Sequence, residues 1–126
     1  MTDKIILLLN PNSSASVTGI LQVKLSSYAT PGVRLKFTNP PAGPPSIDDP
    51  ITSVLSAAAS WKFMEDEGFL NDKSITGIIV CCCKTYLSHR IVTPALNKTN
   101  FNQSVITLSS RCCGTTTPIP SLCAIF

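Results

Sequence analysis

KIILLLNPNSSAS, residues 4–16, decides how this chain folds. The run Ile5 to Leu9 is apolar at every position and stops at Asn10, so it has no solvent-facing side and reads as a strand buried on both faces. Asn, Pro and Ser then supply turn and helix-cap chemistry. SVTGILQVKLSSYA (16–29) follows, with Val17, Ile20, Leu21, Lys24 and Leu25 at spacings that leave one apolar helical face. A buried strand, a tight turn and an amphipathic helix open a βαβ unit.

The next segments repeat that grammar. Pro31-Gly32 punctuates, and VRLKFT (33–38) alternates Val33, Leu35 and Phe37 with Arg34, Lys36 and Thr38, as a half-covered or edge strand does. NPPAGPPSIDDP (39–50) has five prolines in twelve residues and is a stiff loop. ITSVLSAAASWKFMEDEGFL (51–70) returns to helical spacing through Ile51, Val54, Leu55, Ala58 and Trp61, with Asp48 and Asp49 placed for the helix N-terminus. ITGIIVCC (75–82) is a third buried strand. This βαβαβ order predicts an α/β fold: a three-layer parallel sheet with right-handed crossovers and helices on both faces.

Composition limits the function. At 126 residues, 44% of them apolar and 13% charged, the chain is long enough for one well-buried domain. Its net charge of +3 is diffuse, with no Lys/Arg run to follow a phosphate backbone, which argues against nucleic acid as a partner. No stretch approaches the roughly 18 apolar residues of a spanning helix. The expectation is therefore a cytoplasmic protein, without membrane association, whose six cysteines are thiols. CCC, CC and a lone Cys lack the paired spacing of structural zinc, neighbouring cysteines rarely reach disulfide geometry, and no Gly-x-Ser-x-Gly occurs. No metal is expected.

In open parallel sheets, ligands gather at the carboxyl ends of the strands. NPNSS, AGPPSI and the cysteine triplet 81–83 fall there together, which predicts a small-molecule pocket. The ordinary alternative is that loops after strands are polar and turn-rich in any case. For the cysteines it is that a buried thiol serves as a small apolar side chain.

ILLLNPNSS (6–14), AGPPSI (42–47) and GIIVCC (77–82) together resemble the N-terminal half of the aspartate/glutamate racemase superfamily, in its hydantoin and allantoin racemase-like branch. The resemblance is clear over 4–82 and extends faintly to 96. It implies one half of a two-domain, cofactor-independent racemase in which each half contributes one cysteine to a shared cleft. One thiolate would remove the proton from the substrate's stereogenic carbon, and the opposing thiol would protonate the other face. Carried over by position, the catalytic cysteine is Cys82, with Cys81 or Cys83 the alternatives of a one-residue slip. Asn10 and Asn12 would hold a substrate carboxylate or ureido group, with Ser13 and Ser46 as secondary donors.

The chain departs from that pattern after residue 83, where CKTYLSHR (83–90) offers only a gapped match through Tyr86, Ser88 and His89. All seven acidic residues precede position 73, and all six cysteines follow position 80. Cys112-Cys113-Gly114 resembles the family's later Cys-Gly fragment but comes much too early in the chain. These features divide the chain into a racemase-like domain, 1–96, and a divergent, Cys-rich and poorly ordered tail, 97–126. The composition break is what a truncated or mis-spliced gene product would give. The expected alternatives to catalysis are an inactive half-domain or a binding module, and self-association is expected through the exposed cleft face.

Overall fold

The computed structural model describes residues 3–82 and 104–109, with only the backbone course at Cys82 and 104–109. Its elements are β1 (Lys4–Leu9), α1 (Ala15–Leu25, with a 3-10 turn over Ser26–Tyr28), β2 (Val33–Thr38), α2 (Pro50–Asp66), β3 (Ile75–Cys82) and β4 (Ser104–Ser109). The strands form one sheet in the order β2-β1-β3-β4, every pair parallel. The chain steps from β1 to β2 on one side, then past β1 to β3 on the other. Right-handed crossovers therefore place α1 and α2 on opposite faces of the sheet. The α/β architecture expected from the sequence is the one observed.

β1 is apolar throughout because it lies inside the sheet under both layers. Leu7 and Leu9 are fully buried beneath α2, and Leu8 is buried on the other face. β2, an edge strand, keeps Arg34 and Lys36 exposed. The Lys36 ammonium lies over the face of the Phe69 ring, 4.5 Å from its centre, a cation–π contact at the rim of the core. The β1/β3 register slips by one residue between Ile5 and Ile6, leaving Thr76 as a bulge whose hydroxyl donates to the Ile5 carbonyl at 3.3 Å.

α2 begins at a capping box. Asp49 accepts from the Thr52 backbone N–H at 2.7 Å, the Thr52 hydroxyl accepts from the Asp49 N–H at 3.1 Å, and Pro50 opens the first turn. It ends four residues before the boundary expected from periodicity. Gly68 takes φ 72° and its N–H bonds the Glu65 carbonyl, while the Phe69 N–H reaches back to Met64, closing a Schellman motif. Phe69 then packs edge-on against Phe63, with ring centres 5.7 Å apart.

Both helices are rotated from the orientation their apolar periodicity suggests. α2 faces the sheet with Ser53, Ser56, Ala57, Ser60 and Met64, while Ile51, Val54, Leu55 and Ala58 are exposed and Trp61 is half-buried. Small side chains make up most of that face, and Met64 supplies its largest apolar volume, in one core cluster with Phe69, Leu7, Leu9, Ile78 and Val80. In α1, Val17 and Ile20 are exposed while Thr18, Leu21 and Leu25 are half-buried, and no residue of this helix is fully buried.

β4 lies inside 97–126, the stretch read as a tail, and runs parallel to β3 from Gly77↔Ser104 to Cys82↔Ser109. The sheet thus continues past the expected domain edge at 96. Among the described residues no helix is long and apolar enough to cross a membrane.

Candidate functional site

Because the strands are parallel, the turns after Leu9 and Thr38 share one end of the sheet with Cys82, the last residue of β3, and the N-termini of α1 and α2 point toward the same end. The register sets Leu9 beside Val80, so the turn starting at Asn10 is level with Cys81 and Cys82. Asn10 is the pivot of this end. Its backbone N–H extends the ladder to the Thr38 carbonyl at 2.9 Å, and the residue is only 2% exposed. Its side-chain Nδ2 donates to Asn12 Oδ1 at 2.9 Å, to Thr18 Oγ1 at 3.1 Å and to the Ser14 carbonyl at 3.2 Å, while its Oδ1 accepts from the Asn12 N–H at 3.3 Å. An amide so engaged organises the turn rather than meeting a ligand.

Asn12 is the outward member of the pair. Its Oδ1 accepts from both Asn10 Nδ2 and the Ser14 N–H, each at 2.9 Å. A backbone N–H can only donate, so this fixes the oxygen inward and turns Nδ2 outward, where it has no bond to any described residue. Ser14 caps α1 through its hydroxyl, a neutral group, and the first turn of α1 has no acid. α2 differs: its N-cap is the Asp49 carboxylate, held below the usual carboxylate range first by the Thr52 backbone N–H and then by the Thr52 hydroxyl. Of the two helix dipoles at this end, only that of α1 is not met by a carboxylate at its cap.

Ser13 joins the first loop to the second: its N–H bonds the Pro44 carbonyl at 3.0 Å, and its hydroxyl donates to the Gly43 carbonyl at 2.8 Å. Gly43 has φ 105°, and a Cβ there would stand 2.8 Å from the Ala59 Cβ, so glycine is required where the AGPPSI loop crosses α2. Ser60, fully buried on α2, donates to the Pro11 carbonyl at 3.2 Å and fixes the first loop from beneath. Ser46 lies on the same loop as Gly43, exposed and with no bond to the other candidates. Cys82 is the last residue of β3, and Cys81 is a half-buried thiol in no disulfide. Cys83, Tyr86, Ser88, His89 and Cys112-Cys113-Gly114 lie outside the described residues. Among the described residues no group of His, Cys, Asp or Glu could hold a metal ion.

Thr18 and Asn39 were missed by sequence reasoning. Thr18 Oγ1 accepts from Asn10 and donates to Asn39 Oδ1 at 2.7 Å, while Asn39 Nδ2 donates to the Pro40 carbonyl at 3.0 Å. One signal was present: β1 and β2 each end in Asn-Pro, at 10–11 and 39–40, and both prolines are fully buried. The repeated dipeptide marks two strand ends tied by the same chemistry.

This arrangement has counterparts among known proteins. The Asp/Glu/hydantoin racemase family model matches residues 6–95. The chain belongs to that family. An uncharacterized protein of Schizosaccharomyces pombe is 34% identical over 89 residues, covering 70% of this chain and 34% of the relative. Among solved structures, the allantoin racemase of Klebsiella pneumoniae superposes with a TM-score of 0.68 at 20% identity, over 85% of this chain and 40% of that one. The allantoin racemase of Pseudomonas fluorescens gives 0.58 at 21% identity, over 82% and 40%. This racemase-family chain thus shares its fold with both enzymes and spans well under half the length of each relative.

Proposed function

We propose that this chain supplies one α/β half of a cofactor-independent racemase centre, acting on an amino-acid-derived or hydantoin/allantoin-type small molecule. The observation that carries the reading is the fixed amide of Asn12, whose Nδ2 stands outward beside the α1 N-terminus, at the strand ends where β3 delivers Cys82. A preset donor next to an uncompensated positive helix end suits a carbonyl or carboxylate oxygen, and it suits that oxygen better as negative charge builds on it. Ser13 and Ser46 are further donors on this reading, and Asn10 acts by holding Asn12.

The Cys82 thiolate then takes the proton from the carbon next to that carbonyl. The C–H bond breaks, the S–H bond forms, and the electron pair moves into the carbonyl as an enolate held by Asn12. Reprotonation by the same thiol restores the starting isomer, now carrying a solvent hydrogen. Reprotonation from the opposite face gives the mirror image and needs a second acid. Exchange of the substrate's α-hydrogen with solvent therefore reports the first transfer, and inversion reports the second.

The test is proton NMR in deuterated water on a panel of hydantoins, allantoin and acidic amino acids, with polarimetry alongside. Exchange on one panel member, abolished in Cys82→Ala and kept in Cys81→Ala, is the expected result. Exchange that survives Cys82→Ala overturns the assignment. A second reading, a module that binds without turnover, draws on the Asn10–Asn12 turn, which presets a donor without itself moving a proton. Its signature is ligand-induced shifts of the Asn12 side-chain amide with no exchange.

A further inference from the structure

β1 and β2 both leave the sheet through Asn-Pro, and the two asparagines are joined by one hydroxyl of α1. Thr18 Oγ1 donates to Asn39 Oδ1 at 2.7 Å and accepts from Asn10 Nδ2 at 3.1 Å. A hydroxyl has a single proton to give. The other acceptor near it among the described residues, the Ser14 carbonyl, stands at 3.4 Å, so the proton belongs to Asn39.

The directions of these bonds follow from groups that act one way only. The Pro40 carbonyl can only accept, so Asn39 turns Nδ2 to it at 3.0 Å and leaves Oδ1 for Thr18. With its proton on Asn39, Thr18 offers Asn10 a lone pair, and Asn10 answers with Nδ2. From the other side, the Asn12 N–H can only donate, and Asn10 Oδ1 faces it. A carbonyl after β2 and an N–H after β1 therefore set the same orientation of the Asn10 amide. Without the Asn39 acceptor, the Thr18 proton is free to turn toward Asn10 Oδ1 or toward the Ser14 carbonyl, which Asn10 Nδ2 already uses at 3.2 Å. The reversed Asn10 amide then gains a donor, and in that orientation Nδ2 no longer reaches Asn12 Oδ1. A hydroxyl that donates is also a better acceptor, so the bond to Asn39 tightens the one from Asn10.

We propose that Asn39 is a positioning residue for the Asn12 amide, acting through Thr18 and Asn10 and not by meeting a ligand. That Asn12 in turn serves a substrate oxygen rests on the racemase reading, whereas the relay from Asn39 to Asn12 does not. On this proposal the edge strand β2 takes part in the site through its exit residue.

The test follows the Asn12 side-chain amide by heteronuclear NMR in the full chain, with α-hydrogen exchange on the hydantoin, allantoin and amino-acid panel alongside. Asn39→Leu, similar in shape and lacking the acceptor, is expected to displace or double that resonance. It slows exchange about three- to tenfold in kcat, with KM within about twofold. Asn39→Ala is read in the same way where the leucine does not fold. Thr18→Val gives the same displacement, and because the two residues act in series the double variant matches Thr18→Val alone. Thr18→Ser, which keeps the hydroxyl, keeps the resonance in place, and so does Met64→Ala, which loses stability elsewhere. An Asn12 resonance unmoved when Asn39 is replaced overturns the proposal, as do effects of Asn39 and Thr18 that add, or a displacement that Met64→Ala reproduces. A wild type that exchanges no panel compound counts against the racemase reading, and the resonance still decides the relay.

Discussion

The two helices of the described fold are attached to the sheet by different means. α2 rests on an apolar core of Leu7, Leu9, Met64, Ile78 and Val80. α1 buries no residue completely, and its first two turns are tied by hydrogen bonds through Ser14 and Thr18 to Asn10, Asn12 and Asn39. Burial is non-directional and tolerant in angle, whereas hydrogen bonds are exacting in both distance and direction. The face that carries the fold is thus built from volume. The face that carries the candidate site is built from geometry, and substitutions on the two should fail in different ways.

The largest expected effect lies on the α2 side. Met64→Ala removes a fully buried side chain and should cost about 3 kcal/mol in urea unfolding, leaving the Asn12 amide resonance unmoved in the fraction that remains folded. Next is Thr18→Val, which keeps shape but removes the acceptor for Asn10 and the donor to Asn39. A loss of about 1–2 kcal/mol is expected, together with a shifted Asn12 side-chain amide and faster hydrogen exchange in the first turns of α1. Equal exchange in both helices would remove the contrast. The smallest effect has the opposite sign. The Ser56 hydroxyl is buried with no partner among the described residues, so Ser56→Ala should be neutral or stabilise by up to about 1 kcal/mol. A clear loss of stability would mean that the Ser56 hydroxyl is bonded after all.

The sequence carried the strands almost residue for residue, because burial on two faces and burial on one leave different patterns in KIILLL and VRLKFT. It also placed both helices, but the sides they bury were not legible. Periodicity reports that a helix has an apolar side, and on α2 much of that side looks outward while Ser53, Ser56, Ala57, Ser60 and Met64 face the sheet. In the candidate site the Asn-Pro-Asn turn stood out, yet sequence could not rank its two asparagines. Their difference is a matter of which amide is enclosed, settled by Thr18 and Asn39 from other elements. β4 was passed over because SVITLS lies in a stretch whose cysteines and missing acids drew attention from its own alternation.

The position of β1 inside the sheet has a consequence for the chain as it is made. Its neighbours in the sheet are β2 on one edge and β3 on the other, both later in the chain, so this apolar strand is made before either and is completed only when β3 follows. At about 5–20 residues per second, some 4 to 15 s pass between the emergence of Leu9 and that of Val80 beside it. Once β2 has paired along one side, KIILLL still has its other edge open until β3 emerges, and its nearest charges, Asp3 and Lys4, lie next to each other at its start. Until β3 arrives, its solubility depends on the ribosome and on whatever binds nascent chains.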